Sequence, residues 1–205
     1  MRSQPTVIVL AAGRGSRFQG PQHKLAQPFE GGAPVLVCTL RRVVASQMSV
    51  VVVTTAALEP LARSVVASRD VVVLPPADSQ PGLGMGSSIA AGVEARPHAP
   101  GWLMMPGDMP LVRPSTLTAV ASALQTHPVA YAQHAGRRGH PVGFSAELFT
   151  DLVMLQGDEG ARRLVARYPS QAVDVDDAGA LIDLDTVEDF AAAQRHQQQH
   201  AVVGK

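Results

Sequence analysis

The chain has 205 residues, 46% hydrophobic and 17% charged, with 17 basic side chains against 17 acidic ones. A chain of this size buries roughly 70% of its unfolded surface and folds as one compact domain without disulfides or metal staples, and the lone Cys38 permits neither an intrachain disulfide nor a multi-cysteine cluster. Zero net charge speaks against nonspecific nucleic-acid or membrane-surface binding, which draws on a large positive field, and leaves small molecules as the expected partners.

In chain order, a short continuous apolar run is repeatedly followed by a longer mixed segment. Strands are predicted at 6–10, 49–53, 70–74, 102–105 and 129–132, with helices at 35–45, 56–67, 86–94 and 115–124 between them. Runs apolar at consecutive positions fit strands covered on both faces, and strand alternating with helix means an α/β fold with a mostly parallel central sheet. Cys38 then reads as a small apolar residue on the buried side of its helix. Beyond Gln133 the rhythm breaks. A Gly/Arg/His turn at 136–140 leads to a short strand at 142–144 and helices at 147–155 and 159–168. Two late strand-like runs, 172–175 and 180–184, precede a helix opening at Thr186 with Glu188 and Asp189 in its first turn. No linker divides the chain, so a single domain over 1–192 is expected, with 193–205 as a polar, flexible tail. Met1 to Pro5 lead into the first strand without a cleavage signal, and no apolar stretch reaches the roughly 20 residues that span a bilayer, so a cytoplasmic protein is expected.

In an open parallel sheet, ligands gather at the carboxyl ends of the strands. After the first strand comes Leu10-Ala11-Ala12-Gly13-Arg14-Gly15-Ser16-Arg17-Phe18-Gln19-Gly20-Pro21-Gln22-His23-Lys24. Gly13, Gly15 and Gly20 allow sharp turns whose amides face an anion, and Arg14, Arg17 and Lys24 supply countercharge. This is a phosphate-binding loop but no P-loop, since no Gly-Lys-Ser/Thr follows, and Phe18 stands where a dinucleotide fingerprint needs its third glycine.

After the third strand, Gly84-Met85-Gly86-Ser87-Ser88 enters a helix. Ser87 or Ser88 can cap it, or Gly84 and Gly86 leave room for a flat base or ribose beside two hydroxyls. The fourth strand ends in Pro106-Gly107-Asp108-Met109-Pro110, which places a carboxylate rigidly at the same edge, an oxygen ligand suited to Mg²⁺. Asp183-Leu184-Asp185-Thr186 again follows a strand-like run, and spacing alone leaves Asp185 either capping the next helix or reaching the same ion.

Taken in order, "VLAAGRGSRFQG…K", "GLGMGSS", "MPGDMPLV", "RRGHPVGFS" and "LIDLDTVEDF" resemble the MobA-like nucleotidyltransferases, in particular the molybdenum cofactor cytidylyltransferase branch. The resemblance covers about residues 6 to 190 and implies a Rossmann-like, three-layer nucleotidyltransferase fold. It implies transfer of a nucleoside monophosphate from an NTP to a phosphorylated acceptor, with pyrophosphate released and Mg²⁺ as cofactor. By position, Leu10, Ala11, Ala12 and Gly13 would meet the base and sugar, and Arg14, Gly15, Arg17 and Lys24 the triphosphate. Gly84, Ser87 and Ser88 would lie by the nucleoside, with Asp108 and Asp185 on the metal. Arg17, Lys24 and Asp108 would carry catalysis. Guanylyl-transferring relatives usually read Ala-Gly-Gly where this chain has Ala11-Ala12-Gly13, which favours CTP over GTP. The acceptor implied is molybdopterin, with a molybdoenzyme or its maturation chaperone as partner. The segment 136–142 itself reads as part of an acceptor site, with Arg137 and Arg138 receiving the acceptor's phosphate and His140 its ring system, or else as a hairpin turn with solvated arginines and a structural histidine. Rival readings are a GTP-using guanylyltransferase, a sugar- or alditol-phosphate nucleotidyltransferase, and an inactive nucleotide-binding module. Lys24, as a loop residue, is expected to contribute little to packing.

Overall fold

The computed structural model describes residues 4–15, 18, 22–76, 84–186 and 188–193. Its seven strands are β1 (Thr6–Ala11), β2 (Val50–Thr55), β3 (Val71–Leu74), β4 (Gly101–Pro106), β5 (Val129–His134), β6 (Arg137–Ser145) and β7 (Ser170–Asp174). They form one sheet in the order β3-β2-β1-β4-β6-β5-β7, in which β6 alone runs against the others. The helices are α1 (Val35–Ala45), α2 (Glu59–Arg63), α3 (Met85–Glu94), α4 (Pro114–Ala123), α5 (Phe149–Val153) and α6 (Arg162–Arg167).

The apolar runs of the inner strands feed two cores because successive side chains leave opposite faces. Val7, Val9, Leu103 and Met105 pack with α1 and α4, while Ile8, Trp102 and Met104 pack with α3, α5 and α6. The result is a three-layer α/β domain. Cys38 is buried in α1, as its sequence context indicates. The chain leaves β1 toward β2 on one side and pairs β4 on the other, so the crevice between the carboxyl ends of β1 and β4 is a topological switch point.

Four expectations need correction. The helix expected at 56–67 shortens to α2, because Pro60 has no N–H to give to a preceding turn and fits only at the helix start. The turn expected at 136–140 contracts to Ala135-Gly136, both at positive φ (48° and 75°), which suits a two-residue hairpin and lets β6 begin at Arg137. The helix expected from 159 starts at Arg162, since Gly157 and Gly160 take left-handed φ values of 65° and 58°. The strand expected at 180–184 is a 3₁₀ turn, Ala178–Leu181, followed by extended chain. Asp177 imposes that turn: its carboxylate accepts from the amides of Gly179 (3.0 Å) and Arg113 (2.8 Å) and from Thr116 Oγ1 (2.6 Å). The expected tail beyond residue 193 lies outside the described residues.

Candidate active site

The loop after β1 is buckled to the lysine that follows it. His23 Nδ1 accepts from the amide of Leu25 at 3.2 Å, which leaves Nε2 as the protonated nitrogen donating to the carbonyl of Gly13 at 2.9 Å. Through these two bonds one imidazole caps the 3₁₀ turn Lys24–Ala26 and ties it to the glycine loop. Gly15 has a left-handed φ of 61°. No motif in the sequence marks His23 for this role; only its place before Lys24 hints at it. Arg17 lies outside the described residues, as do 16, 19–21 and 77–83.

Lys24 reaches into the switch point, where its ammonium stands 2.5 Å from Asp108 Oδ2 and 2.5 Å from Asp185 Oδ1. Burial alone would lower the lysine's pKa, but the charge and hydrogen bond of Asp108, joined by those of Asp185, hold it above its ordinary value. Asp108 is set by its neighbours: the amide of Gly107 donates to Leu10 O at 2.9 Å, and Thr39 Oγ1 donates to Gly107 O at 2.9 Å. Asp185 arrives by a route that strand logic did not supply, on extended chain after the 3₁₀ turn, docked where the Leu184 amide donates to Asp108 O at 3.0 Å.

The capping question left open by spacing is also answered. Thr186 and Asp189 bond reciprocally, with the Thr186 amide and hydroxyl donating to Asp189 Oδ2, each at 2.8 Å, and the Asp189 amide donating to Thr186 Oγ1 at 3.2 Å. That is a capping box for the helix at 188–193, and it relieves Asp185 of capping. Asp183 is exposed, and its pKa is raised by burial of its carboxyl and by the neighbouring Asp185 and Asp108 charges.

The donor set suits a hard cation. Asp108 Oδ1 is buried without a hydrogen-bond partner, an expensive state for a carboxylate oxygen and one that a cation would satisfy. Two carboxylates with substrate phosphate oxygens form the usual Mg²⁺ environment. Among the described residues no cluster of three or more metal-ligating side chains gathers, so a shell completed by substrate is the form that fits.

These groups open into one cleft of about 1190 Å³, larger than the roughly 300–1,000 Å³ of ordinary ligand pockets. Residues 10–15, Lys24, Gly84, Ser87, Ser88, Asp108, Arg138, His140 and Asp185 all line it. Arg137 does not: it immediately precedes Arg138, so the two-residue period of β6 turns it to the other face, although both arginines are exposed. Ser88 Oγ is occupied within α3, donating to Gly84 O at 3.2 Å. The expectation that Gly84 and Gly86 leave room for a base is corrected. A Cβ at Gly84 would stand 2.6 Å from the Gly157 carbonyl carbon, and one at Gly86 2.7 Å from the Gln156 oxygen. Their bare backbone admits the loop before α6. Asp158, Glu159 and Arg162 from that region also line the cleft, and the sequence reading missed them because it placed Glu159 and Arg162 inside a helix and Asp158 in the connection before it.

His140, partly buried on β6, has its pKa lowered from 6.5 to about 4, by burial foremost, with the Arg138 charge adding to this and the Asp108 charge opposing it. At neutral pH it is an uncharged donor or acceptor in the cleft wall.

A doubly wound sheet with a glycine loop, a lysine and two convergent aspartates at its switch point defines a nucleotidyltransferase-type domain. The chain belongs to the family of the MobA-like NTP transferase domain, whose model matches residues 7–173. Among solved structures it is similar to Rv0371c from Mycobacterium tuberculosis H37Rv, with a TM-score of 0.78 and 28% identity over 94% of this chain and 99% of that one. A manganese complex of Rv0371C aligns with a TM-score of 0.74 at 28% identity. Among curated proteins it is 33% identical over 129 residues to the bifunctional protein GlmU of Alkalilimnicola ehrlichii, covering 58% of this chain and 25% of GlmU. It is 32% identical over 117 residues to the purine catabolism protein PucB of Bacillus subtilis, covering 55% of this chain and 57% of PucB. The chain thus spans a quarter of the one and just over half of the other. No helix among the described residues is long and apolar enough to cross a membrane.

Proposed function

We propose that the protein transfers CMP from CTP to a phosphorylated acceptor, molybdopterin by its resemblance, and releases pyrophosphate with the help of Mg²⁺. The observation that carries this reading is the convergence of Lys24, Asp108 and Asp185 beneath the glycine loop, at the edge of a cleft large enough for two substrates. Ala12, whose methyl is packed in the core beside the cleft, supports the smaller pyrimidine base. The manganese complex of Rv0371C supports the use of a divalent ion, for which Asp108 and Asp185 are the proposed ligands.

In the proposed reaction an acceptor phosphate oxygen, already anionic near neutral pH, attacks the α-phosphorus of CTP. A P–O bond forms there while the bond to the β-phosphate bridging oxygen breaks, and the electron pair leaves with pyrophosphate. No general base is required, in keeping with the absence of a serine–histidine nucleophile pair in the sequence motifs. The amides of the 13–15 loop and Arg14 orient the triphosphate, and Lys24 stabilises the departing pyrophosphate. For that, Lys24 must exchange its carboxylate partners for phosphate oxygens. Asp108 and Asp185 would then hold Mg²⁺, which supplies positive charge at the α-phosphate. A molybdoenzyme or its chaperone in the cytoplasm is the proposed recipient of the product.

Thermal denaturation with CTP, GTP, ATP and UTP in the presence of Mg²⁺ tests the base assignment, since a ligand that binds the folded state raises its apparent stability. CTP should give the largest shift; an equal or larger one with GTP overturns it. A pyrophosphate-release assay with molybdopterin, sugar phosphates and alditol phosphates decides the acceptor.

A further inference from the structure

We infer that His23 is a positioning residue for polyphosphate binding: its imidazole locks the glycine loop of β1 to Lys24, so that loop and lysine ammonium meet the triphosphate as one preformed unit. This rests on the reading above that places a nucleoside triphosphate on the loop, and it gives a role to a side chain that acts only through its neighbours.

Each ring nitrogen has a backbone partner that fixes its chemistry. The Leu25 amide can only donate and the Gly13 carbonyl can only accept, so the imidazole is held in one tautomer, with Nδ1 bare and Nε2 protonated. The first partner lies two positions from His23 and the second ten, so the ring closes a long segment of chain on itself. A cap alone does not call for histidine. Serine, threonine, aspartate and asparagine are the preferred residues at a helix start, because a short side chain with one oxygen acceptor is all that a cap requires. An imidazole adds a donor on the far side of a rigid ring, and that donor is what engages Gly13.

Lys24 is held on both sides of this lock. At Gly15 a Cβ would stand 3.2 Å from His23 Nε2 and 3.2 Å from Lys24 Cγ, so the ring and the lysine stem both lie against bare glycine backbone. At the other end of the turn Leu25, only 3% exposed, is anchored in the core that packs α1. With its stem laid over the loop and its turn rooted in the core, the lysine presents its ammonium to Asp108 and Asp185 from a fixed base. A free lysine side chain carries large rotamer entropy, and a donor that must be ordered at the moment of binding contributes less to affinity. His23 supplies that order in advance.

The test titrates Mg²⁺-tripolyphosphate and Mg²⁺-CTP calorimetrically into the full chain and its variants. His23→Ala, which loses both bonds, should bind tripolyphosphate about tenfold more weakly. Glutamine and asparagine separate the bonds, since the glutamine amide nitrogen reaches where Nε2 stands and the asparagine oxygen where Nδ1 stands. His23→Gln should therefore return affinity to within about threefold of wild type, while His23→Asn, which keeps only the cap, should stay near His23→Ala. In a Lys24→Ala background the further change His23→Ala should weaken binding by about twofold or less, because its effect is carried through the lysine. Gln27→Ala removes a 2.9 Å bond to Gln22 O that braces the same turn without reaching the glycine loop, and it should bind as wild type does. A merely structural histidine gives a different pattern. Wild-type affinity in His23→Ala or His23→Asn, or an undiminished effect of His23→Ala when Lys24 is already absent, overturns the inference. A wild type that binds no tripolyphosphate overturns it as well, since the loop would then hold no anion for Lys24 to meet. Tripolyphosphate binding that depends on His23 but gains nothing from the cytidine of CTP would instead sink the CTP reading and leave the lock standing.

Discussion

Lys24 and Asp108, 84 positions apart in the chain, are joined by an ion pair of 2.5 Å whose two side chains are each only 13% exposed. The same ammonium reaches Asp185 at 2.5 Å, so a single lysine is shared by both carboxylates of the site. Lys24 is therefore a structural residue as well as a substrate ligand, which changes what its removal should do.

Lys24→Ala should lower turnover by about 10²–10³-fold, the usual cost of removing a preorganised donor to a developing anion. It should also destabilise the protein without nucleotide by roughly 3 kcal/mol at neutral pH, because two largely buried carboxylates lose their shared cation. The cost is one of charge rather than of packing, to which a loop lysine contributes little. Urea unfolding with and without Mg²⁺ checks this: the loss should shrink when the metal is added, and a wild-type midpoint would show that the ion pair contributes nothing.

The sequence carried the sheet and most of the site because its signals there are local. Unbroken runs such as Val50 to Val53 declare doubly covered strands, and Asp108 stands two residues past the end of one, so its place at the active edge is legible. Asp185 was identified for a different reason than the one that puts it there, since its path depends on Asp177 bonding to Arg113 and Thr116, more than 60 positions away. Long-range bonds of that kind leave no periodicity. His23, and the loop at 156–160 seated against Gly84 and Gly86, were missed on the same account: each is defined by what its backbone neighbours accept or exclude.

Asp185→Asn should nearly abolish turnover while the fold persists, and Asp183→Asn should retain most of it. Asp185 is within hydrogen-bond reach of Lys24 and only 8% exposed, whereas Asp183 is exposed and bonds to neither Lys24 nor Asp108. Steady-state rates for the two variants, each with Mg²⁺ and Mn²⁺, decide between them. An active Asp185→Asn beside a dead Asp183→Asn would move the ligand assignment two residues back.

His140 predicts an acid-side loss of stability. Its pKa is about 4 in the folded protein against 6.5 for a free imidazole, so between these values the unfolded chain takes up a proton that the folded one refuses. Its contribution is thus complete above pH 6.5 and disappears as pH falls toward 4. The full shift is worth at most about 3 kcal/mol, less whatever solvent at the cleft mouth screens. His140→Gln should flatten the fall in unfolding free energy between pH 7 and pH 5; the same slope in both proteins would assign that proton uptake elsewhere. With phosphorylated acceptor at pH 7 the variant should raise the acceptor KM or lower kcat, with CTP affinity little changed.

Gly139→Ala separates the shape of the acceptor wall from its charges. A Cβ at Gly139 would lie 2.8 Å from the Ala180 carbonyl carbon and 3.0 Å from Leu181 Cδ2, so the 3₁₀ turn passes hard against β6. The turn cannot retreat far. Asp177 pins its start to Arg113 and Thr116, and a Cβ at Gly179 would stand 2.5 Å from the Leu111 carbonyl carbon on the opposite side. An added methyl must therefore strain β6 or the turn, at a cost of about 1–3 kcal/mol for overpacking. Because the chain runs directly from this turn to Asp185, the strain should also disturb the geometry of Asp185 against Lys24 and lower turnover by more than the loss of folded protein explains. Nucleotide affinity, governed by the β1 loop across the switch point, should change less than turnover. Denaturation midpoints, nucleotide titration and rates measured on the folded fraction of the same preparation test the argument, and wild-type stability with wild-type turnover would show that the turn does not position Asp185.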